Sequence, residues 1–240
     1  MPKLLVERRR CRALRLLARQ PHPMAAPCAA ALEAAARRER TAEERDWTRR
    51  IEALRRELLA SQEEVALVDF GAGSPDRPRT PEEMAAGARV VRTIGEVCGT
   101  GSKSPLWCLV LLKLVGALGP ERCVEMGTCL GISAAYQATA LRLAGRGSLV
   151  TLEGAAILTE RARGNLERLD LAGTEVVAGP FAATLEGVLA ARRPVDYVFV
   201  DGHHDGDATV GYHRQISRHL ADHALVVYDD IHWSPAMEQA

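Results

Sequence analysis

The stretch Val124-Glu125-Met126-Gly127-Thr128-Cys129-Leu130-Gly131-Ile132-Ser133 decides the fold. A short apolar run, Cys123–Met126, enters two glycines, and a helix-like run, Ile132–Leu143, leaves them. Strand, tight turn and helix follow in that order. Glycine at 127 and 131 allows close approach of backbone to a ligand and tolerates unusual dihedral angles. The first turn of a helix offers free N–H groups and the positive end of its dipole, which suits a ligand carboxylate. Ser133 can add a hydroxyl there, and Glu125 can accept from a ligand ammonium. The pattern is not GxGxxG, because Glu125 stands where the first glycine would be, and this counts against a nicotinamide dinucleotide. By itself the loop also fits an ordinary βα turn.

Downstream the alternation continues. Strand-like runs are Ser148–Leu152, Glu175–Ala178, Tyr197–Val200 and Ala224–Tyr228. Helix-like runs are Ala155–Leu169, Phe181–Ala191 and Thr209–Leu220. Short apolar strands alternating with helices predict an α/β fold, a doubly wound, mostly parallel sheet covered on both faces. Glu153, at the end of the second strand, is placed to hold the ribose hydroxyls of a nucleoside. Gly179-Pro180-Phe181 falls where a base would lie. Phe181 can pack on that base or belong to the core.

The fourth strand runs into Asp201-Gly202-His203-His204-Asp205-Gly206-Asp207, and the fifth into Asp229-Asp230-Ile231-His232-Trp233. Open α/β sheets bind ligands at this carboxyl edge. Crowded carboxylates raise one another's pKa, and a hard divalent cation such as Mg²⁺ relieves them with oxygen ligands. Asp201, Asp229 and Asp230 are the metal candidates. His203, His204 and His232 can act as bases. A blander alternative has Asp230 capping a short helix and the histidines in solvent. His22, His213, His219 and His223 have no such context and are expected at the surface.

Upstream, residues 1–64 read as an Arg/Ala-rich helical extension. Leu4, Leu5, Leu14, Leu16 and Leu17 form the apolar positions of a first helix, broken by Pro21, Pro23 and Pro27. Trp47, Ile51, Leu54, Leu58 and Leu59 form a helical stripe that docks on the main domain or on a second subunit. Residues 65–240 form the main domain. Val65–Val68 is strand-like, Pro81–Cys98 looks helical, and Pro105–Leu118 is an apolar helix stopped by Gly119-Pro120. Lys+Arg and Asp+Glu are both 31, so net charge gives no argument for nucleic acid. The six cysteines include no CxxC pair, and nothing resembles a secretion signal, so reduced thiols in a cytoplasm are expected. No apolar run approaches the roughly 20 residues of a membrane span.

Together the segments Asp69–Ser74, Val124–Ser133, Thr151–Gly154, Val200–His204 and Asp229–Ser234 resemble the class I S-adenosylmethionine (SAM)-dependent methyltransferases. More narrowly, they resemble bacterial small-molecule O-methyltransferase-like proteins with DGxH and DDIHWS signatures. The resemblance implies a seven-stranded Rossmann-like sheet with SAM at its carboxyl edge. It implies cofactor-binding roles for Glu125, Gly127, Thr128, Gly131, Ser133, Glu153, Gly179 and Asp201, and catalytic roles for His204 and Asp201. It places Mg²⁺ on Asp201, Asp229 and Asp230. It implies methyl transfer to an oxygen of a small molecule, with nucleic acid disfavoured and a homodimer possible. The last strands of the family pattern are missing before Ala240, so a truncated or non-catalytic SAM-binding module acting through a partner is the alternative.

Overall fold

The computed structural model describes residues 2–74 and 76–240, with side chains from Arg9 onward. The expected roles of Leu4 and Leu5 lie outside the described side chains. Three helices open the chain: α1 (Pro2–Ala18), α2 (Ala25–Ala36) and α3 (Ala42–Ala60). A small antiparallel excursion follows, with β1 (Glu64–Asp69), β2 (Gly73–Ser74), β3 (Arg77–Pro78), α4 (Pro81–Ala86) and β4 (Ala88–Thr93). Then come α5 (Ile94–Gly101) and α6 (Pro105–Leu118). The remainder alternates: β5 (Arg122–Met126), α7 (Ile132–Ala144), β6 (Ser148–Glu153), α8 (Ala156–Arg168), β7 (Glu175–Ala178), α9 (Phe181–Arg192), β8 (Val195–Val200), α10 (Gly206–Ser217), β9 (Leu220–Tyr228) and α11 (Pro235–Gln239).

Strands β5 to β9 form one wholly parallel sheet in the order β7-β6-β5-β8-β9. The main sheet therefore has five strands, against the seven implied by the resemblance. The inner strands β5 and β8 are buried along both faces, whereas the edge strand β9 is only half-buried. Cys123, Tyr197 and Phe199 point into the cluster built with α3, α5, α6, α7 and α8. Their neighbours Val124, Met126, Val198 and Val200 point into the cluster of α9 and α10. The two-residue period of a strand makes that division.

The register sets up the site. Met126 lies opposite Leu152 on one side and Val200 on the other, and Val200 lies opposite Tyr228. The next residues in each strand, Gly127, Glu153, Asp201 and Asp229, therefore form a row along the carboxyl edge.

The N-terminal extension packs onto this unit. Trp47, Ile51, Leu54 and Leu58 of α3 are buried in the larger core, whereas Leu59 is exposed. Cys28 and Ala31 of α2 pack on Leu114 of α6, next to Leu225 and Val227 of β9. Arg55 of α3 is buried too, with its Nε on Glu52 and its Nη1 donating to the Lys103 carbonyl at 2.8 Å. Tyr136 of α7 donates to the same Glu52 at 2.8 Å.

The helix expected over Pro81–Cys98 is instead α4, β4 and α5. Gly87 breaks it with φ +72, where a Cβ would stand 2.3 Å from Val68 Cγ1. Val90 and Val91 then pair with Leu67 and Ala66, as β-branched residues favour. The strand at residues 64–69 therefore pairs with β4 and stays outside the parallel sheet. His219 is buried, not superficial, and bonds Glu186 at 3.0 Å. All six cysteines are free thiols. Among the described residues no single helix is long and apolar enough to cross a membrane.

Candidate active site

The loop between β5 and α7 is folded down against the neighbouring strand ends. Gly127 and Thr128 both donate their N–H to the Leu152 carbonyl, at 3.0 and 3.2 Å. Asp201 donates its N–H to the Met126 carbonyl at 2.9 Å. Gly127 has φ +105, and a Cβ there would sit 2.0 Å from the Asp201 carbonyl oxygen. Only glycine fits. Gly131, at φ +83, is the N-cap of α7 and gives that helix no side-chain cap. The first-turn N–H groups of α7 are thus left for another acceptor.

Glu125 lies under this loop and not at its surface. It is fully buried, accepting from Thr151 Oγ1 at 2.6 Å and Gln137 Nε2 at 2.7 Å. Ser133, also buried, hydrogen-bonds it. Thr128 Oγ1 lies 2.6 Å from Thr151 Oγ1 and extends the network. Burial pushes the Glu125 carboxyl up to about 7 against these hydrogen bonds. The expected contact between Glu125 and a ligand ammonium is therefore not what the packing offers. Glu125, Thr128 and Ser133 brace the loop from below.

Glu153 faces the edge. Its two carboxylate oxygens accept the N–H groups of Cys129 and Ala155, each at 2.8 Å. Burial raises its pKa although those bonds oppose the rise. Gly179, at φ +131, donates its N–H to the Glu153 carbonyl at 2.8 Å. Phe181 packs edge-on to Tyr212, at 5.8 Å between ring centroids, and lies against Gly202. A second aromatic ring, unassigned from sequence, stands nearer Glu153: Phe70, carried over the edge by the β1–β4 excursion, packs on Gly154. That excursion also holds the site directly. Ala72 N–H donates to the His203 carbonyl at 2.8 Å, and Met84 Sδ lies 3.1 Å from His203 Nε2.

The acidic row converges as expected, but around a residue that the sequence did not single out. Lys103 Nζ lies 3.0 Å from Asp201 Oδ1, 3.1 Å from Asp229 Oδ2 and 3.3 Å from Asp230 Oδ2. Burial by itself would lower the Lys103 pKa, but the three carboxylates more than reverse this and hold it protonated. Burial raises the Asp201 carboxyl, and the ammonium beside it opposes the rise. His204 Nε2 stands 3.5 Å from Asp230 Oδ2, and its ring tilts on Trp233 at 5.6 Å. Burial holds the His204 pKa low, so the ring is neutral near pH 7. His203 bonds Tyr212 at 2.6 Å, and Asp205 caps α10. His232 is exposed on Glu238 and stays apart from the cluster. Asp230 does not cap the following helix; Ser234 caps it. Cys129, His203, His204 and Asp230 all hold positive φ without being glycine. Such strain gathers at sites that need a fixed geometry.

Two groups can be tested against this arrangement. A ligand with a carboxylate and a nucleoside fits: the open α7 turn, the glycine that admits no Cβ, and Glu153 lie side by side. Mg²⁺ does not fit. Asp201, His204 and Asp230 can bring ligand atoms within 4.8 Å of one another. Yet Lys103 already occupies both carboxylates of that set, and an ion drawing oxygens to about 2.0–2.1 Å would share them with an ammonium.

Comparison with known proteins bears on the same segment. Residues 124–231 match the family described as methyltransferase domain. An O-methyltransferase from Bacillus cereus, solved with SAH, is 26% identical over 55% of this chain and 59% of its own, with a TM-score of 0.50. Cofactor-bound Rv0187 from MTB is 34% identical over 54% of this chain and 57% of its own, also at 0.50. The SAH-bound methyltransferase PaMTH1 of Podospora anserina, 22% identical over 55% of each chain with a TM-score of 0.50, shares the fold. The chain thus spans less than two thirds of the length of these structures. No curated protein matches it in sequence.

Proposed function

We propose that this chain, whose residues 124–231 match the methyltransferase domain family, is a class I SAM-dependent methyltransferase that transfers a methyl group to an oxygen of a small molecule. The observation that carries the reading is the row Gly127, Glu153, Asp201 along one sheet edge, closed at Gly127 by the Asp201 backbone. The α7 N-terminus takes the amino-acid carboxylate of SAM, and Glu153 takes the ribose hydroxyls on the lone pairs its backbone donors leave free. Phe70 and the Gly179–Phe181 turn flank the base. When bound, SAM supplies an activated methyl group, whose bond to sulfur breaks as the acceptor oxygen takes it. His204, neutral and set beside the cluster, receives the acceptor's proton on its free ring nitrogen. Trp233 and Asp230, which flank the ring, hold it in place, so the protein contributes chiefly alignment.

Titration calorimetry with SAM and SAH tests the reading. Saturable binding that Glu153→Ala weakens supports it, and a folded protein that binds neither refutes it. Methyl transfer to phenols, catechols and carboxylic acids, read by SAH release, then tests the acceptor class. Binding with no transfer to any oxygen acceptor would favour the non-catalytic SAM-binding module.

A further inference from the structure

Lys103 stands on the three-residue link between α5 and α6, nearly a hundred positions before the nearest carboxylate it meets. Its side chain is only 15% exposed. The link is anchored from beneath, because the Lys103 carbonyl accepts from Arg55 Nη1 at 2.8 Å and from Cys108 Sγ at 3.5 Å. Ser104 caps α6 immediately afterwards. An ammonium has three N–H donors, and here each has a carboxylate oxygen within 3.3 Å, from Asp201, Asp229 and Asp230. Three acids brought together by two adjacent strand ends repel one another unless a cation lies among them.

We propose that Lys103 is the resident cation of this site: it stands where a divalent metal would otherwise gather the three carboxylates, and the chain's chemistry proceeds without such a metal. The inference rests on the methyltransferase reading above for its catalytic meaning, but not for its geometry. Lys103 is a positioning residue. It fixes the Asp201 side chain, and the Asp201 backbone closes over Gly127, so the ammonium secures the SAM loop and the acceptor edge together. It also leaves Asp230 within reach of His204.

The test titrates Mn²⁺ into wild-type protein, Asp229→Asn, Lys103→Ala, Lys103→Arg and Lys103→Ala/Asp229→Asn. Free Mn²⁺ is followed by electron paramagnetic resonance, and SAH affinity is measured in parallel. Wild type and Lys103→Arg are expected to take up no stoichiometric Mn²⁺. Lys103→Ala is expected to gain a single site for the hard cation, which the added Asp229→Asn removes. Stoichiometric Mn²⁺ uptake by the wild type, lost in Asp229→Asn, overturns the proposal whether or not Lys103→Ala folds. A folded Lys103→Ala that takes up none overturns it as well. Failure of the wild type to bind SAM or SAH would instead defeat the methyltransferase reading, and the Mn²⁺ results would still stand.

Discussion

Gly127→Ala is the most demanding single change for the site geometry. The added Cβ would stand 2.0 Å from the Asp201 carbonyl oxygen and 2.8 Å from its carbon. Ordinary contact needs over 1 Å more, and both partners are backbone. Asp201 is tied by its N–H to the Met126 carbonyl at 2.9 Å, so the β5 and β8 ends must part or the loop must lift. Holding a non-glycine residue at φ +105 costs about 1–3 kcal/mol. Losing one strand-end hydrogen bond adds about 0.5–1.5 kcal/mol. The sum, about 1.5–4.5 kcal/mol, lowers the melting temperature by roughly 3–18 °C in a chain of this size. SAH affinity falls with it, because the displaced loop opens α7. Circular dichroism melts and calorimetry with SAH measure both effects. Gly116→Ala is the control: it lies exposed inside α6 with nothing within 4 Å of its Cβ position, and it should stabilise by about 0.5–1 kcal/mol. A Gly127→Ala protein that melts with the wild type and binds SAH equally well would refute the reasoning.

Glu125→Gln should show a pH signature. The folded carboxyl is raised to about 7 from its ordinary 4.5, so the folded state holds the proton more tightly and wild-type stability falls as pH rises through that window, by up to about 3 kcal/mol. Urea unfolding at pH 5 and pH 8 should show Glu125→Gln gaining on the wild type at the higher pH; an unchanged gap would contradict the shift. Glu153→Ala strips a charged acceptor from the N–H groups of Cys129 and Ala155, at about 1.5–3 kcal/mol each, and SAH titration should show at least a tenfold weaker complex. Ile51→Ala should cost about 2–5 kcal/mol and shift one cooperative transition, since Ile51 is fully buried in the core shared with the sheet. A second, separate transition by calorimetry would show that α3 is not part of that core.

The row of site residues was legible because strand ends in a parallel sheet fall into line. Once Val124, Leu152 and Val200 are read as strand, Gly127, Glu153 and Asp201 must be neighbours. Other features were present in the sequence as signals passed over. Thr80 with Glu83 and Thr93 with Glu96 both form capping boxes, and the second marks a new helix starting inside the stretch expected as one unbroken helix. Lys103 had no such signal. Its partners lie about a hundred residues away, and only the packing of α6 against the sheet brings them to it. The burial of Glu125 was hidden for a similar reason, because Thr151 and Gln137 come from two other elements. Phe70 was hidden because β1, the strand that leads into it, pairs outside the main sheet.

The buried Arg55 defines how small a working unit can be. From one guanidinium in α3, contacts run to the Lys103 link and, through Glu52, to Tyr136 on α7, the helix that follows the Gly127–Gly131 loop. The segment that matches the methyltransferase family begins at residue 124, but the forces that keep its chemistry in register begin in α3. A piece cut at the family boundary would keep Gly127, Glu153 and the acidic row while losing both the cation among the acids and the arginine that holds it there. In engineering terms, α3 is the foundation of the candidate site, and any transplant of this domain has to carry it along.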